Sequence, residues 1–122
     1  MSKVDSKGTL RLRVMAGKRI AMGPGKADLL EGIRDTGSIS AAGRRMKMSY
    51  KRAWQLVEEM NICFRGPVVD ANKGGSGGGG AQLTAIGEDV LARFRRVEQL
   101  CGEAAYEDLL AMRRRLRPTP RD

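Results

Sequence analysis

In a chain of 122 residues, 23 lysines and arginines stand against 14 acidic residues, a net charge of +9, and histidine is absent. That length provides a single domain, and the cation surplus suits a polyanionic partner, either nucleic acid or an anionic membrane surface. Without histidine, zinc sites, imidazole proton transfer and Ser-His or Cys-His nucleophiles lose their usual residue. Cys63 and Cys101 make neither a disulfide framework nor a metal-ligand pattern, and no apolar run reaches the length of a membrane span or a signal core. The expectation is a soluble, cytoplasmic, non-enzymatic protein, without cofactor or bound metal and without a membrane partner.

Residues 8–21 read as a strand or hairpin. Leu10-Arg11-Leu12-Arg13-Val14 alternates apolar and basic, as a strand with one buried face does, and Gly17 can turn it toward Lys18-Arg19-Ile20-Ala21. Residues 24–64 then read as three helices. Pro24 is well placed near the start of the first, which carries Leu29, Leu30 and Ile33 and is ended by Gly37. Ser38 can cap a second helix with Ile39, Ala42, Gly43 and Met46 at i, i+3, i+4 and i+7. Lys47-Met48 form a turn, and Ser49 caps a third helix reaching about Phe64. Short helix, brief turn and longer helix make a helix-turn-helix over residues 38–64.

The third helix has a core stripe of Ala53, Val57, Met60 and Phe64, with Trp54 and Leu56 on its flanks and Trp54 assigned to the core. Its opposite face holds Lys51, Gln55 and Glu58, with Arg52 and Glu59 alongside. Cations in the first turn and acids later oppose the helix dipole, so this order does not serve helix stability. A recognition helix entering a major groove by its N-terminal end needs cations there and tolerates acids where it exits, the alternative being a merely solvated basic face. Between Thr36 and Val57 there are five basic residues (Arg44, Arg45, Lys47, Lys51, Arg52) and no acidic one.

Residues 67–84 contain Gly74–Gly80, six glycines broken by Ser76, between the strand-like Pro67-Val68-Val69-Asp70 and Gln82-Leu83-Thr84. Literally the run satisfies G-x-G-x-x-G. No helix opens on its last glycine, however, and no acid ends a second strand, so the dinucleotide fingerprint lacks its context. No Gly-Lys-Ser/Thr closes a Walker A loop either. Two short strands joined by a pliable tip make a wing beside the helices. From Thr84 a helix is predicted over 85–117, about 48 Å long, ended by Pro118. Its apolar stripe is Ile86, Val90, Phe94, Val97, Cys101, Ala105, Leu109, Met112 and Leu116. The same helix of a second subunit is the simplest cover for it; a break at Gly102, with the end folded back, is the alternative. Cys101 could approach its symmetry mate, although a buried, inert thiol is the plainer reading.

These residues resemble a known family. Thr36-Gly37-Ser38-Ile39-Ser40, then Ser49-Tyr50-Lys51-Arg52-Ala53-Trp54, then Glu59-Met60-Asn61, then Gly74–Gly80 with Ala81-Gln82-Leu83-Thr84, is similar to the N-terminal domain of ModE, the molybdate-responsive bacterial transcription regulator. More distantly, the helix-turn-helix with Leu83-Thr84 and Gly87-Glu88 resembles LysR-type regulators. The resemblance implies a mostly α, winged helix-turn-helix homodimer that binds double-stranded promoter DNA. Its dimerisation parts would be the N-terminal strand and the last helix, the latter through Val90, Phe94, Val97, Cys101, Ala105, Leu109 and Met112. Lys51, Arg52 and Gln55 would face bases, with Ser49 and Tyr50 near the helix start. Arg44, Arg45 and Lys47 would meet phosphate, as would Ser38 if it is not only a cap. Lys73 would anchor a wing tip of Gly74, Gly75, Ser76 and Gly77, whose bare backbone can approach DNA closely. In ModE the molybdate sites lie in a C-terminal β-rich domain that the residues to Asp122 do not contain. The expectation is therefore a stand-alone DNA-binding member, or one whose effector is sensed by a separate protein. Two rival readings stand beside it: a sequence-neutral architectural DNA binder, and an interaction module that lends a helix to a partner regulator.

Overall fold

The computed structural model describes residues 10–72 and 80–121. Strands β1 (Val14–Ala16) and β2 (Arg19–Met22) form a hairpin turned at Gly17, whose φ of +61° suits a residue without a Cβ. The strand expected from Leu10 begins only at Val14. Leu10 and Leu12 are half-buried and Arg11 and Arg13 exposed, so the alternation records a segment with one half-buried side that is not assigned as strand before Val14. A bulge between Val14 and Met15 shifts the hairpin register.

Three helices follow: α1 (Pro24–Thr36), α2 (Ile39–Arg45) and α3 (Tyr50–Cys63). Gly37 ends α1 in the left-handed region at φ +72°, its N–H donating to the Ile33 carbonyl. The Ser38 and Ser49 hydroxyls accept from the backbone N–H groups of Ala41 and Arg52 at 3.1 and 3.0 Å, capping α2 and α3. Small residues set how closely the three cross. A Cβ on Gly32 would stand 3.0 Å from Ala42 Cβ, and one on Gly43 the same distance from Ala53 Cβ. Bulk at either glycine would force two helices apart. The core between them is Met22, Leu29, Leu30, Ile33, Val57, Met60 and Val68, all essentially solvent-free. Each such side chain contributes about 1.5–3 kcal/mol of burial.

Strands β3 (Val69–Asn72) and β4 (Gly80–Leu83) pair antiparallel, Val69 opposite Leu83 and Ala71 opposite Ala81. Val69 and Ala81 face the core while Asp70 and Gln82 face solvent, the period of two that a half-buried hairpin requires. The hairpin is tied to the helices where the Ala81 N–H donates to the Gly37 carbonyl at 2.8 Å. Helix α4 (Ala85–Ala104) starts on a Thr84 cap: its hydroxyl accepts from Gly87 N–H at 3.0 Å and donates to the Pro67 carbonyl at 2.6 Å. A Cβ on Gly87 would stand 2.0 Å from the Val68 carbonyl oxygen, so only glycine lets this helix rest on the start of β3.

The helix predicted to reach residue 117 is divided. α4 ends at Ala104, Ala105 leaves helical geometry at φ −97°, ψ 7°, and α5 spans Tyr106–Arg113. The break falls three residues after Gly102, and Leu109 beyond it is buried. A continuous helix would have carried Leu109 away from the domain, and one residue of non-helical backbone accompanies its burial. Arg95 clamps α4 to α1, reaching Glu31 through two nitrogens at 2.9 and 3.0 Å, Asp28 at 2.6 Å and Glu98 at 2.9 Å. These carboxylates stabilise its charged form, chiefly Glu31, and raise its pKa further.

Candidate nucleic-acid interface

The turn between α2 and α3 is a tight one. Lys47 N–H donates to the Arg44 carbonyl and Met48 N–H to the Gly43 carbonyl, both at 3.0 Å, the paired bonds of a Schellman motif. The residue at its left-handed position is Lys47, at φ 59°, the only positive-φ residue among the described ones that is not glycine. A side chain there costs about 1–2 kcal/mol relative to ordinary backbone. A cation therefore stands at the corner of the helix-turn-helix where glycine would be less strained.

From that corner α3 projects its first two turns. Tyr50, Lys51, Arg52 and Gln55 are exposed, and among the described residues Lys47, Lys51, Arg52 and Gln55 make no side-chain hydrogen bond. Tyr50 meets Trp54 edge-on with ring centroids 6.1 Å apart. Trp54 is half-buried against the core, with its indole Nε1 enclosed and without a hydrogen-bond partner among the described residues. Arg44 and Arg45 are exposed on α2 but occupied: Arg44 donates to Ser40 Oγ at 2.7 Å, and Arg45 pairs with Asp35 at 3.3 Å. Both ions of that pair are about half exposed, so it holds Arg45 only weakly. Ser38 and Ser49 have their oxygens committed as caps and retain only a hydroxyl proton to offer. Lys73, Gly74, Gly75, Ser76 and Gly77 lie outside the described residues.

The far end of α3 is built differently. Lys26, a charged residue only 6% exposed, donates to Glu59 Oε1 at 2.5 Å and to the Ile20 carbonyl. Its hydrogen bond holds the Glu59 carboxyl below the usual carboxylate range. Glu59 therefore answers a buried lysine in α1, which accounts for one of the two acids that made the helix look reversed against its dipole. Two residues on, the Asn61 amide oxygen accepts from Val68 N–H at 2.8 Å and Val69 N–H at 3.3 Å, while its amide nitrogen donates to the Val69 carbonyl at 3.4 Å. This side chain fixes β3, and so the wing, to the recognition helix. Neither role is visible from charge or periodicity. The one signal was an amide in the last helical turn, before a short loop and a strand, where backbone donors need a partner.

The surface predicted for dimerisation is partly consumed inside the chain. Phe94 and Leu109 are 3% and 7% exposed. Val90, Cys101 and Ala105 are half-buried, whereas Val97 and Met112 are exposed. Val90, Val97 and Phe94 join Val14, Met22 and Phe64 around an apolar groove of about 190 Å³. Val14, Ile86 and Leu100 are further exposed apolar residues. Cys63 and Cys101 are free thiols. No helix among the described residues is long and apolar enough to cross a membrane.

A helix-turn-helix followed by a two-stranded hairpin, with the second helix exposed at its N-terminal end, is a winged helix-turn-helix domain. Its likeness to known proteins is specific. The chain is 48% identical over 77 residues to the molybdenum-pterin-binding protein MopB of Rhodobacter capsulatus, covering 63% of this chain and 28% of that protein. It is 38% identical over 76 residues to the transcriptional regulator ModE of Haemophilus influenzae, 62% of this chain and 30% of that one. Against the DNA-binding transcriptional dual regulator ModE of Escherichia coli K12 the identity is 34% over 92 residues, 75% of this chain and 34% of the relative. The chain thus spans about a third or less of the length of these relatives, and no protein-family model matches it. The domain is ModE-like.

Proposed function

We propose that this chain is a sequence-specific DNA-binding transcription regulator that works as a homodimer in the bacterial cytoplasm. The observation that carries the reading is the bare N-terminal end of α3. Lys51, Arg52 and Gln55 stand there with no side-chain hydrogen bond among the described residues, beside Lys47 and within a stretch free of acids, in a domain similar to DNA-binding ModE. Lys51 and Gln55 would read base edges in the major groove, with Arg52 on their flank. Arg44, Arg45 and Lys47 would hold backbone phosphate, as would Lys73 on the wing, which fixes register without carrying sequence information. The exposed apolar residues Val14, Val97 and Leu100, with the groove beside them, form the face offered to a second copy, and Met112 extends it. Two such copies would set their recognition helices ~34 Å apart, or a multiple of that, and favour an inverted repeat. By analogy with the named relatives, the regulated genes include ones that handle molybdenum, and an effector signal arrives from a sensor outside these residues.

The test is selection of genomic fragments by the purified protein at near-physiological salt. Enriched fragments sharing an inverted repeat are expected. Fragments recovered without any shared motif would reject sequence-specific reading and leave a sequence-neutral architectural binder.

A further inference from the structure

Between the extended segment before β1, the start of α1 and the flank of α3 lies an open cleft of about 550 Å³. That volume is in the range of small-molecule sites, about 300–1,000 Å³. Its walls include Arg11, Arg13, Lys26, Arg52 and a single acid, Glu59. The acid is already spent, because Glu59 receives the buried Lys26 ammonium at 2.5 Å. What remains around the cleft is three guanidinium groups with no hydrogen-bond partner among the described residues. Arg13 passes close to the N-cap of α1: its Cγ is 3.8 Å from where a Cβ on Gly23 would stand. Gly23 offers no side-chain cap and the first turn of α1 holds no acid, so the backbone N–H of Gly25 at the cleft wall adds its partial positive charge to the same space.

We infer that this cleft is a binding site for a phosphate-type anion, held by Arg11, Arg13 and Arg52. Planar guanidinium groups match the oxygen spacing of phosphate and favour it over a monovalent ion. The cleft is larger than one phosphate needs, so the group recognised is carried on a larger body, either a free phosphate ester or a DNA backbone phosphate. Both sources share this chemistry. Because Arg52 belongs to the first turn of α3, an anion seated here would adjust the recognition helix from its flank. Sequence reading placed Arg11 and Arg13 on the outer face of a strand and gave them no partner. The site emerges only where the segment before β1 lies beside the start of α1.

The experiment follows backbone amide chemical shifts while the protein is titrated at constant ionic strength with sodium pyrophosphate, and separately with duplex DNA. The Arg11→Ala/Arg13→Ala variant is compared with Arg114→Ala/Arg115→Ala, which removes the same charge at the other end of the chain. Saturable pyrophosphate shifts at Gly25 and Lys26, weakened about tenfold or more only in the first variant, would establish a free-anion site. Shifts there with DNA alone, with a salt slope lowered by about one to two in that variant only, would establish a DNA phosphate as the ligand. Silence at these amides with both ligands, or equal loss in both variants, overturns the site. The pyrophosphate arm does not depend on sequence-specific DNA reading, so the two proposals can fail separately.

Discussion

The two ends of α3 are one helix with two kinds of environment. Its first two turns expose Tyr50, Lys51, Arg52 and Gln55 to solvent, while its last turns bind inward through Glu59, Met60 and Asn61. The difference shows how a small domain can present mobile, charged side chains on a rigid support. At the first end Lys51, Arg52 and Gln55 make no side-chain hydrogen bond among the described residues, and the other end is held by a buried ion pair and an amide clamp. Substitutions at the two ends should therefore separate cleanly, stability responding to one and DNA affinity to the other.

The largest effect on stability is expected at the anchored end. Glu59→Ala leaves the Lys26 ammonium without its counter-ion and should cost about 2 kcal/mol. That is less than the 3–5 kcal/mol for a fully enclosed pair, because Glu59 is about one-third exposed. Since the folded-state pKa of Glu59 lies below its ordinary 4.5, the pair stabilises the protein fully above that pH, and its contribution fades as pH falls through the lowered value. Urea denaturation at pH 7 and in acid should show the gap between wild type and variant narrowing below about pH 4.5. Asn61→Ala comes next, at about 1–2 kcal/mol, because it strips the acceptor from the buried N–H groups of Val68 and Val69. Its mark on function should be uniform weakening across DNA sequences as the wing loosens, read by titrating specific and random duplexes.

At the free end the order reverses. Lys51→Ala should leave denaturation within about 0.5 kcal/mol of wild type, yet weaken a specific site by about tenfold to a hundredfold with little change at random sequence. Arg52→Ala should relax preference in the same assay, while Lys73→Ala weakens all sites alike. The smallest effect belongs to Lys47→Gly. Glycine relieves the left-handed strain and should raise stability by about 0.5–1 kcal/mol, while the lost phosphate contact lowers the salt slope of DNA binding by about 0.9. Gain of stability with loss of affinity would mark Lys47 as a residue kept for its charge.

Much of this was legible before the structure. Ser38, Ser49, Thr84 and Gly37 mark helix ends by chemistry that acts over three or four residues, and the strand-like Pro67-Val68-Val69-Asp70 and Gln82-Leu83-Thr84 on either side of the glycine run mark the wing. The apolar stripe from Ile86 onward was legible as a stripe. Its break was legible only as an alternative at Gly102, and its place at Ala105 was not, because nothing at that residue forbids a helix and only the burial of Leu109 accompanies the departure. Lys26 was invisible in principle: a lysine in a first turn reads as solvated, and its burial depends on Glu59, which is 33 residues away. Asn61 stood in a quoted motif without a role, since its partners lie across a loop. The strand expected over Leu10–Val14 shows the converse error, in which local alternation promised a strand that begins only at Val14.

The most direct test of the division along α3 is to map amide perturbations on the full chain when it is titrated with an enriched duplex. The account predicts large shifts at Arg44–Lys47 and Tyr50–Gln55, with Glu59–Cys63 left near their free positions. Shifts concentrated on Glu59–Cys63 or on α5, with Tyr50–Gln55 silent, would contradict it.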